Sequence, residues 1–161
     1  PSPKNIRHFF LKGAYIYHPL MNVVASFLIS LLVSTVIIVY ILNLPLMASN
    51  NAKDLVYEYY YKNWWKSLLL DIVLVAVYFY VASLFAKFLG VRDFKGRVVV
   101  LIATTVLISG SFCMYFLRRP ISDAFFSRWF HKASWGAVLY DAILLTLIYI
   151  VFERLRAMSL S

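Results

Sequence analysis

The sequence predicts an all-α membrane protein with four transmembrane helices. Of the 161 residues, 63% are hydrophobic, whereas soluble domains carry about 45–50% apolar residues. Four apolar stretches each reach the roughly 20 residues that a helix needs to cross about 30 Å of hydrocarbon. A helix also satisfies its own backbone hydrogen bonds in lipid. These stretches are approximately His18–Leu42, Trp64–Phe85, Val98–Leu117 and Trp135–Phe152.

The two halves of the chain resemble each other, which predicts two tandem helical hairpins in a parallel arrangement. Each half reads as an apolar helix, a proline, an aromatic-rich stretch, a tryptophan and a second apolar helix with one aspartate near its start. A shift of 70 residues places Leu55, Val56, Trp65 and Asp71 on Phe125, Phe126, Trp135 and Asp141, and a shift of 75 places Ser30, Ser34, Tyr40 and Pro45 on Thr105, Ser109, Tyr115 and Pro120.

The repeat divides the chain into segments with distinct roles. Within each repeat, an amphipathic stretch rich in Tyr, Phe and Trp separates the two spans, at 54–63 and at 123–133. Its aromatic residues recur at helical spacing, which predicts a helix lying in the headgroup layer, as an aromatic belt or as a partner-docking surface. The predicted segments are a basic amphipathic N-terminal segment 1–17, repeat 1 at 18–86, a connecting loop 87–97, repeat 2 at 98–153 and a tail 154–161.

The charge distribution predicts contact with anionic lipid headgroups. The net charge is +9, and the basic residues are scattered over short loops on both sides of the spans, which argues against nucleic acid as a partner. An excess of Lys and Arg marks the cytoplasmic side of a membrane. The side that holds both termini has nine of these residues and the other side has seven, which favours cytoplasmic termini; the sequence does not identify the membrane. The nine are Lys4, Arg7, Lys12, Lys87, Arg92, Lys95, Arg97, Arg154 and Arg156; the seven are Lys53, Lys62, Lys66, Arg118, Arg119, Arg128 and Lys132.

Two acids inside the second and fourth spans are the candidate site. Asp71 follows Trp65 at the same interval at which Asp141 follows Trp135, so the two acids are expected at one depth, about 10 Å into their helices. A carboxylate facing lipid at this depth is costly, so both should face the bundle interior. The site is either a transport site for a proton, an ion or a substrate, or a structural contact. The expected polar partners are Arg118, Arg119, Tyr40 and Tyr115.

Small polar residues form stripes on the first and third spans. Small residues at a spacing of four let helix backbones approach closely, so we expect a packing stripe, with a hydroxyl-lined pore as the alternative. The stripe residues are Asn22, Ser26, Ser30 and Ser34 on the first span and Thr105 and Ser109 on the third.

The motifs needed for catalysis are missing from the sequence. The single cysteine excludes an intramolecular disulfide. The sequence also contains neither a metal-ligand spacing of His and carboxylates, nor a phosphate-binding glycine loop, nor a nucleophile elbow. We therefore expect a non-enzymatic protein without metal or cofactor. The predicted function is a structural or assembly subunit of a larger complex in an organelle membrane or the inner membrane of a virion, bound to other subunits or to itself. The alternative is a small ion or proton channel or transporter centred on Asp71 and Asp141.

Overall fold

The computed structural model describes residues 22–48 and 52–159, and this part of the chain is largely helical. Four of its helices are long and apolar enough to cross a membrane, which confirms the predicted fold class at this level. The predicted N-terminal segment 1–17 lies outside the described residues. In chain order the helices are α1 Asn22–Ile41, α2 Leu44–Ala48, α3 Lys53–Tyr57, α4 Trp64–Phe88, α5 Phe94–Leu117, α6 Phe125–Ala133 and α7 Trp135–Ser159.

The connection between α4 and α5 is shorter than the predicted loop 87–97. Helix α4 continues to Phe88, and α5 already begins at Phe94. The side chain of Asp93 caps α5 by accepting a hydrogen bond from the backbone amide of Gly96 at 2.7 Å. Gly96 therefore belongs to the first turn of α5, where an added Cβ would lie 2.6 Å from a neighbouring side chain. The capping interaction, which apolar periodicity does not reveal, explains the earlier helix start.

The segments between α1 and α4 and between α5 and α7 contain further helical turns. Helix α3 continues as a π-helical turn, Glu58–Lys62, directly before α4, and α6 ends one residue before α7. The π-helical turn leaves two carbonyls for side-chain donors. The hydroxyl of Tyr40 bonds the Tyr60 carbonyl at 2.8 Å, and Ser67 Oγ bonds the Tyr59 carbonyl at 2.8 Å. These bonds satisfy acceptors that a helix end would otherwise leave free.

The long helices pack around a shared interior. Helix α5 packs against α4 and α7, while α6 packs against α5 and α7, and α3 contacts α6. Helix α1 joins the bundle through Phe27, whose ring meets Phe79 and Phe152 edge-on, with centroids 6.1 and 6.4 Å away. Helix α7 continues into the predicted tail 154–161, as far as Ser159. The interior thus lies between the long helices, next to α3 and α6.

Candidate functional site

Asp71 on α4 and Asp141 on α7 line the same cavity inside the bundle. Its volume is about 320 Å³, near the lower end of the range of small-molecule sites, about 300–1,000 Å³. Helices α3 to α7 all contribute to its wall, which is mainly aromatic and aliphatic. We call it the central cavity. The polar side-chain groups of its lining residues are two carboxylates, the Ser109 hydroxyl, four tyrosine hydroxyls and the indole N–H of Trp129.

Asp71 is held by a tyrosine from the π-helical turn. The hydroxyl of Tyr59 donates a hydrogen bond to Asp71 Oδ1 at 2.7 Å. The Tyr59 ring stacks on Phe125 of α6, with ring centroids 4.7 Å apart. Burial raises the pKa of the Tyr59 hydroxyl above its ordinary value, and the neighbouring carboxylate raises it further. Tyr59 therefore remains a protonated donor to Asp71 at neutral pH.

Asp141 has a different kind of partner. The hydroxyl of Ser109, in the middle of α5, donates a hydrogen bond to Asp141 Oδ2. Ser109 is 1% exposed, because α5 and α7 pack closely at this level. A Cβ added to Gly110 would lie 3.4 Å from the Trp135 ring, so the two helices are in close contact there. Small residues on α5 thus bring a serine hydroxyl to the carboxylate on α7.

The two arginines expected as partners lie elsewhere. Arg118 and Arg119 follow the end of α5 and are exposed. Arg118 is nine residues beyond Ser109, about 13.5 Å along a helix axis, which is beyond the reach of its side chain. The guanidinium of Arg119 lies over the ring of Tyr115, 4.3 Å from its centroid. Among the described residues, no Lys, Arg or His forms an ion pair with either carboxylate.

The two expected tyrosine partners are also engaged outside the acid pair. Tyr40 bonds the Tyr60 carbonyl, as described above, and Tyr115 is 47% exposed beneath Arg119. Tyr59 instead provides the hydroxyl for Asp71. The sequence signal for it is the aromatic run before α4, which contains Tyr59. Its helical spacing predicts an aromatic belt or a partner-docking surface, and neither interpretation assigns a hydroxyl to Asp71.

A buried pair of tyrosines crosses the wall of the cavity. The hydroxyls of Tyr60 and Tyr140 are 2.6 Å apart, and these residues are 8% and 4% exposed. Burial raises the pKa of Tyr60 well above its ordinary value, with Tyr140 contributing. The bond joins the π-helical turn to α7 one residue before Asp141. It therefore fixes the region of α3 against the helix that carries the second carboxylate.

Two ion pairs join α3 and its π-helical turn to α6. Arg128 makes two hydrogen bonds to the Glu58 carboxylate, at 2.9 and 3.0 Å. Lys132 Nζ lies 2.6 Å from Asp54 Oδ2. The bonds from Arg128 and Lys132 hold the pKa values of Glu58 and Asp54 below their ordinary values. These contacts keep together the two segments whose aromatic side chains line the cavity.

The predicted stripe of small residues lies mostly in the interior. Thr105 donates to the Leu101 carbonyl at 2.8 Å, and Ser30 donates to the Phe27 carbonyl at 2.7 Å. The hydroxyl of Ser34 is buried and has no hydrogen-bond partner among the described residues. Only Ser109 of the stripe lines the central cavity. The buried members are Ser26, Ser30, Ser34, Thr105 and Ser109, while Asn22 is partly exposed.

The site contains no metal-ligand cluster in the part of the chain that the structure describes: nowhere there do three His, Cys, Asp or Glu side chains come together. Two carboxylates and several hydroxyls can hold a proton or interact with a positively charged group.

The chain matches no protein-family model, no curated protein sequence and no solved structure.

Proposed function

We propose that this protein is a multi-pass integral membrane protein whose central cavity binds a proton or a cation at Asp71 and Asp141, as in a small transporter. One observation carries the proposal. Two carboxylates from different long helices face one apolar cavity, and no basic residue in the described part of the chain is paired with them. The acids hold no metal or cofactor in this proposal, and the protein is not an enzyme.

The energetic argument rests on the missing positive charge. Removing an ion from water costs several kcal/mol even after relaxation, unless a partner compensates for the lost hydration. The hydroxyls of Tyr59 and Ser109 each supply one hydrogen bond, but they supply no charge. Ionisable groups within membrane helices commonly mark ion or proton pathways. A bound proton or cation would provide the compensation that the structural interpretation assigned to arginine.

The test is flux through reconstituted vesicles. Purified protein is placed in vesicles containing a pH-sensitive dye, and proton movement is followed under an imposed potential, with Na⁺ and K⁺ gradients in parallel. The Asp71→Asn/Asp141→Asn double variant should fall to the level of protein-free vesicles. Asp123→Asn, an exposed acid before α6, is the matched control and should retain wild-type flux. Equal flux in the double variant and the wild type would refute the transport proposal.

A second measurement examines the acids without requiring flux. Infrared difference spectra recorded across pH should contain a protonated carboxyl band that disappears in Asp71→Asn, in Asp141→Asn or in both. A band that survives both substitutions belongs to other acids. That result, together with wild-type cation binding in the double variant, would remove the acid pair as the binding site.

We also infer that the four spans form two hairpins in parallel repeats, with α3 and α6 lying in the headgroup layer and both termini in the cytoplasm. Glu58 and Arg128 support this arrangement. They occupy equivalent positions in the 70-residue register and contact each other, as residues next to a pseudo-twofold axis do. Paired cysteines, one at Glu58 and one at Arg128, should cross-link within one chain. Cysteines that replace Arg92, between α4 and α5, and Ile121, between α5 and α6, should be labelled from opposite sides of sealed vesicles. Labelling of both from the same side would refute the topology.

The second candidate function is a structural or assembly subunit that contacts other membrane proteins or a second copy of itself. The specific observation is a set of exposed aromatic residues near the starts of α4 and α7. Trp64, Trp65 and Trp135 are 60%, 52% and 54% exposed. The mass of the particle in lipid nanodiscs tests self-association. A dimer that becomes a monomer in Trp64→Ser/Trp65→Ser supports this function, whereas a monomer in both cases removes self-association.

A further inference from the structure

The central cavity extends to the outer surface between α4 and α5. Val77 of α4 and Phe112 of α5 line it, and both are also half-exposed, at 50% and 52%. Val77 lies in the middle of α4, and Phe112 lies well inside α5. These positions fall within the apolar spans, so the opening faces the hydrocarbon of a membrane. A molecule that enters here comes from the lipid phase and must itself dissolve in lipid.

The inner wall of the cavity selects for a positively charged hydrogen-bond donor. Asp71 Oδ1 and Asp141 Oδ2 each already accept one hydroxyl hydrogen bond. A carboxylate has about four acceptor sites on its two oxygens, so each retains capacity for another donor. The rings of Phe125 and Trp129 stack with centroids 6.2 Å apart and line the same cavity, where they add an apolar wall for the body of a ligand.

From these features we infer that the central cavity binds a lipophilic amine: a small hydrophobic body with a protonated nitrogen that enters sideways between α4 and α5. The nitrogen lies against the two carboxylates, and the apolar body occupies the cleft toward Val77 and Phe112. The inference rests on the proposed function, because the ammonium group is the cation that compensates for Asp71 and Asp141. It adds the ligand class and the route of entry.

The chemistry favours an amphiphilic cation over the simplest competing ligands. A fatty acid would bring a third carboxylate to two others, and like charges within a poorly hydrated site repel strongly. A neutral hydrocarbon would fill the volume but leave both carboxylates without a positive charge. A strongly hydrated inorganic cation gains nothing from the apolar cleft that leads to the acids. Only an amphiphilic cation uses both parts of the cavity.

The binding test uses tritiated decylamine and protein in lipid nanodiscs, measured by scintillation proximity, with decanol as the neutral competitor. Wild-type protein should bind saturably above empty nanodiscs. Asp141→Asn should weaken binding at least about tenfold, because a charge-assisted hydrogen bond is replaced by a weaker neutral one. Decanol should compete at least tenfold more weakly than unlabelled decylamine. Equal competition by decanol would overturn the inference, since the acids would then play no part.

The entry route has its own matched pair of variants. Val77→Trp places a bulky side chain at the opening and should slow decylamine association by at least about tenfold. Val73 lies one turn earlier on α4, is 59% exposed and does not line the cavity. The Val73→Trp variant should therefore bind decylamine at the wild-type rate. Equal rates in both variants would refute entry between α4 and α5. The melting temperature of each variant without ligand shows whether it is folded.

The outcomes separate this inference from the proposal beneath it. A carboxyl band that responds to Asp71→Asn and Asp141→Asn, with no saturable decylamine binding, overturns the amine inference and leaves the proton site intact. Saturable decylamine binding that depends on Asp141, without proton or cation flux, supports the inference and refutes transport. Loss of both signals refutes both, because the cavity then has no role in binding charge.

Discussion

Removing one hydroxyl from the Tyr60–Tyr140 pair should cost more than removing both. These hydroxyls are 2.6 Å apart and deeply buried. In Tyr60→Phe, the hydroxyl of Tyr140 stays buried and loses the hydrogen bond. A buried polar group left unsatisfied costs about 1–3 kcal/mol, and measured hydrogen bonds within membrane proteins average nearer 0.6 kcal/mol. We therefore expect each single variant to lose about 1–2 kcal/mol of unfolding free energy.

The double variant Tyr60→Phe/Tyr140→Phe should recover part of that loss. Both rings remain, so aromatic packing persists, and no unpaired hydroxyl is left in the interior. Its unfolding free energy should lie between that of the single variants and that of wild type, so the coupling between the two substitutions should exceed about 1 kcal/mol. Variants at sites without a shared contact add to within about 0.3–0.5 kcal/mol, so a coupling of this size is detectable.

The assay is reversible unfolding in mixed micelles, with the mole fraction of sodium dodecyl sulfate as the denaturant and circular dichroism as the signal. Tyr80→Phe is the matched control, because Tyr80 is 65% exposed on the outer face of α4. It should be within about 0.5 kcal/mol of wild type. Strict additivity of Tyr60→Phe and Tyr140→Phe would refute the reasoning, because it would mean that the hydroxyls do not depend on each other.

Two further predictions concern the ion pair beside the cavity and the bundle core. Because Arg128 lowers the folded-state pKa of Glu58, the pair stabilises above the ordinary glutamate pKa of about 4.3, and this contribution is lost as pH falls through the folded pKa. The melting temperature should therefore drop more between pH 6 and acid pH in wild type than in Glu58→Gln. Ile148→Ala, at a fully buried position, should cost about 2–5 kcal/mol in the same unfolding assay, whereas Ile143→Ala, 39% exposed, should cost clearly less.

The sequence predicts the long helices well because their determinant is local. Each span is a continuous apolar run, and the minimum length for crossing a bilayer is set by the helical rise alone. The helix ends are harder to predict. The early start of α5 depends on the Asp93 side chain reaching the Gly96 amide, and hydropathy does not detect one hydrogen bond. The π-helical turn Glu58–Lys62 also has no signature in the apolar pattern.

The partners of the acids could not be predicted from the sequence, because tertiary packing selects them. Charge alone favours Arg118 and Arg119 as partners, since an aspartate within a membrane needs compensation. Distance along the helix decides against them, because both lie beyond the end of α5. The aromatic run that contains Tyr59 predicts a helix in the headgroup layer. A tyrosine suits that layer and a buried hydrogen bond equally well, so composition cannot distinguish the two locations.

The 70-residue register relates the two acids to each other but does not predict how each is held. Tyr59 holds Asp71, yet the equivalent position 129 is a tryptophan, which has no hydroxyl to offer Asp141. Ser109 supplies that bond instead. The two carboxylates are therefore chemically unequal. Asp71 depends on the π-helical turn after α3, whereas Asp141 depends on the long helix α5. A displacement of the π-helical turn would remove the Tyr59 hydroxyl from Asp71, whereas the hydrogen bond from Ser109 to Asp141 comes from α5.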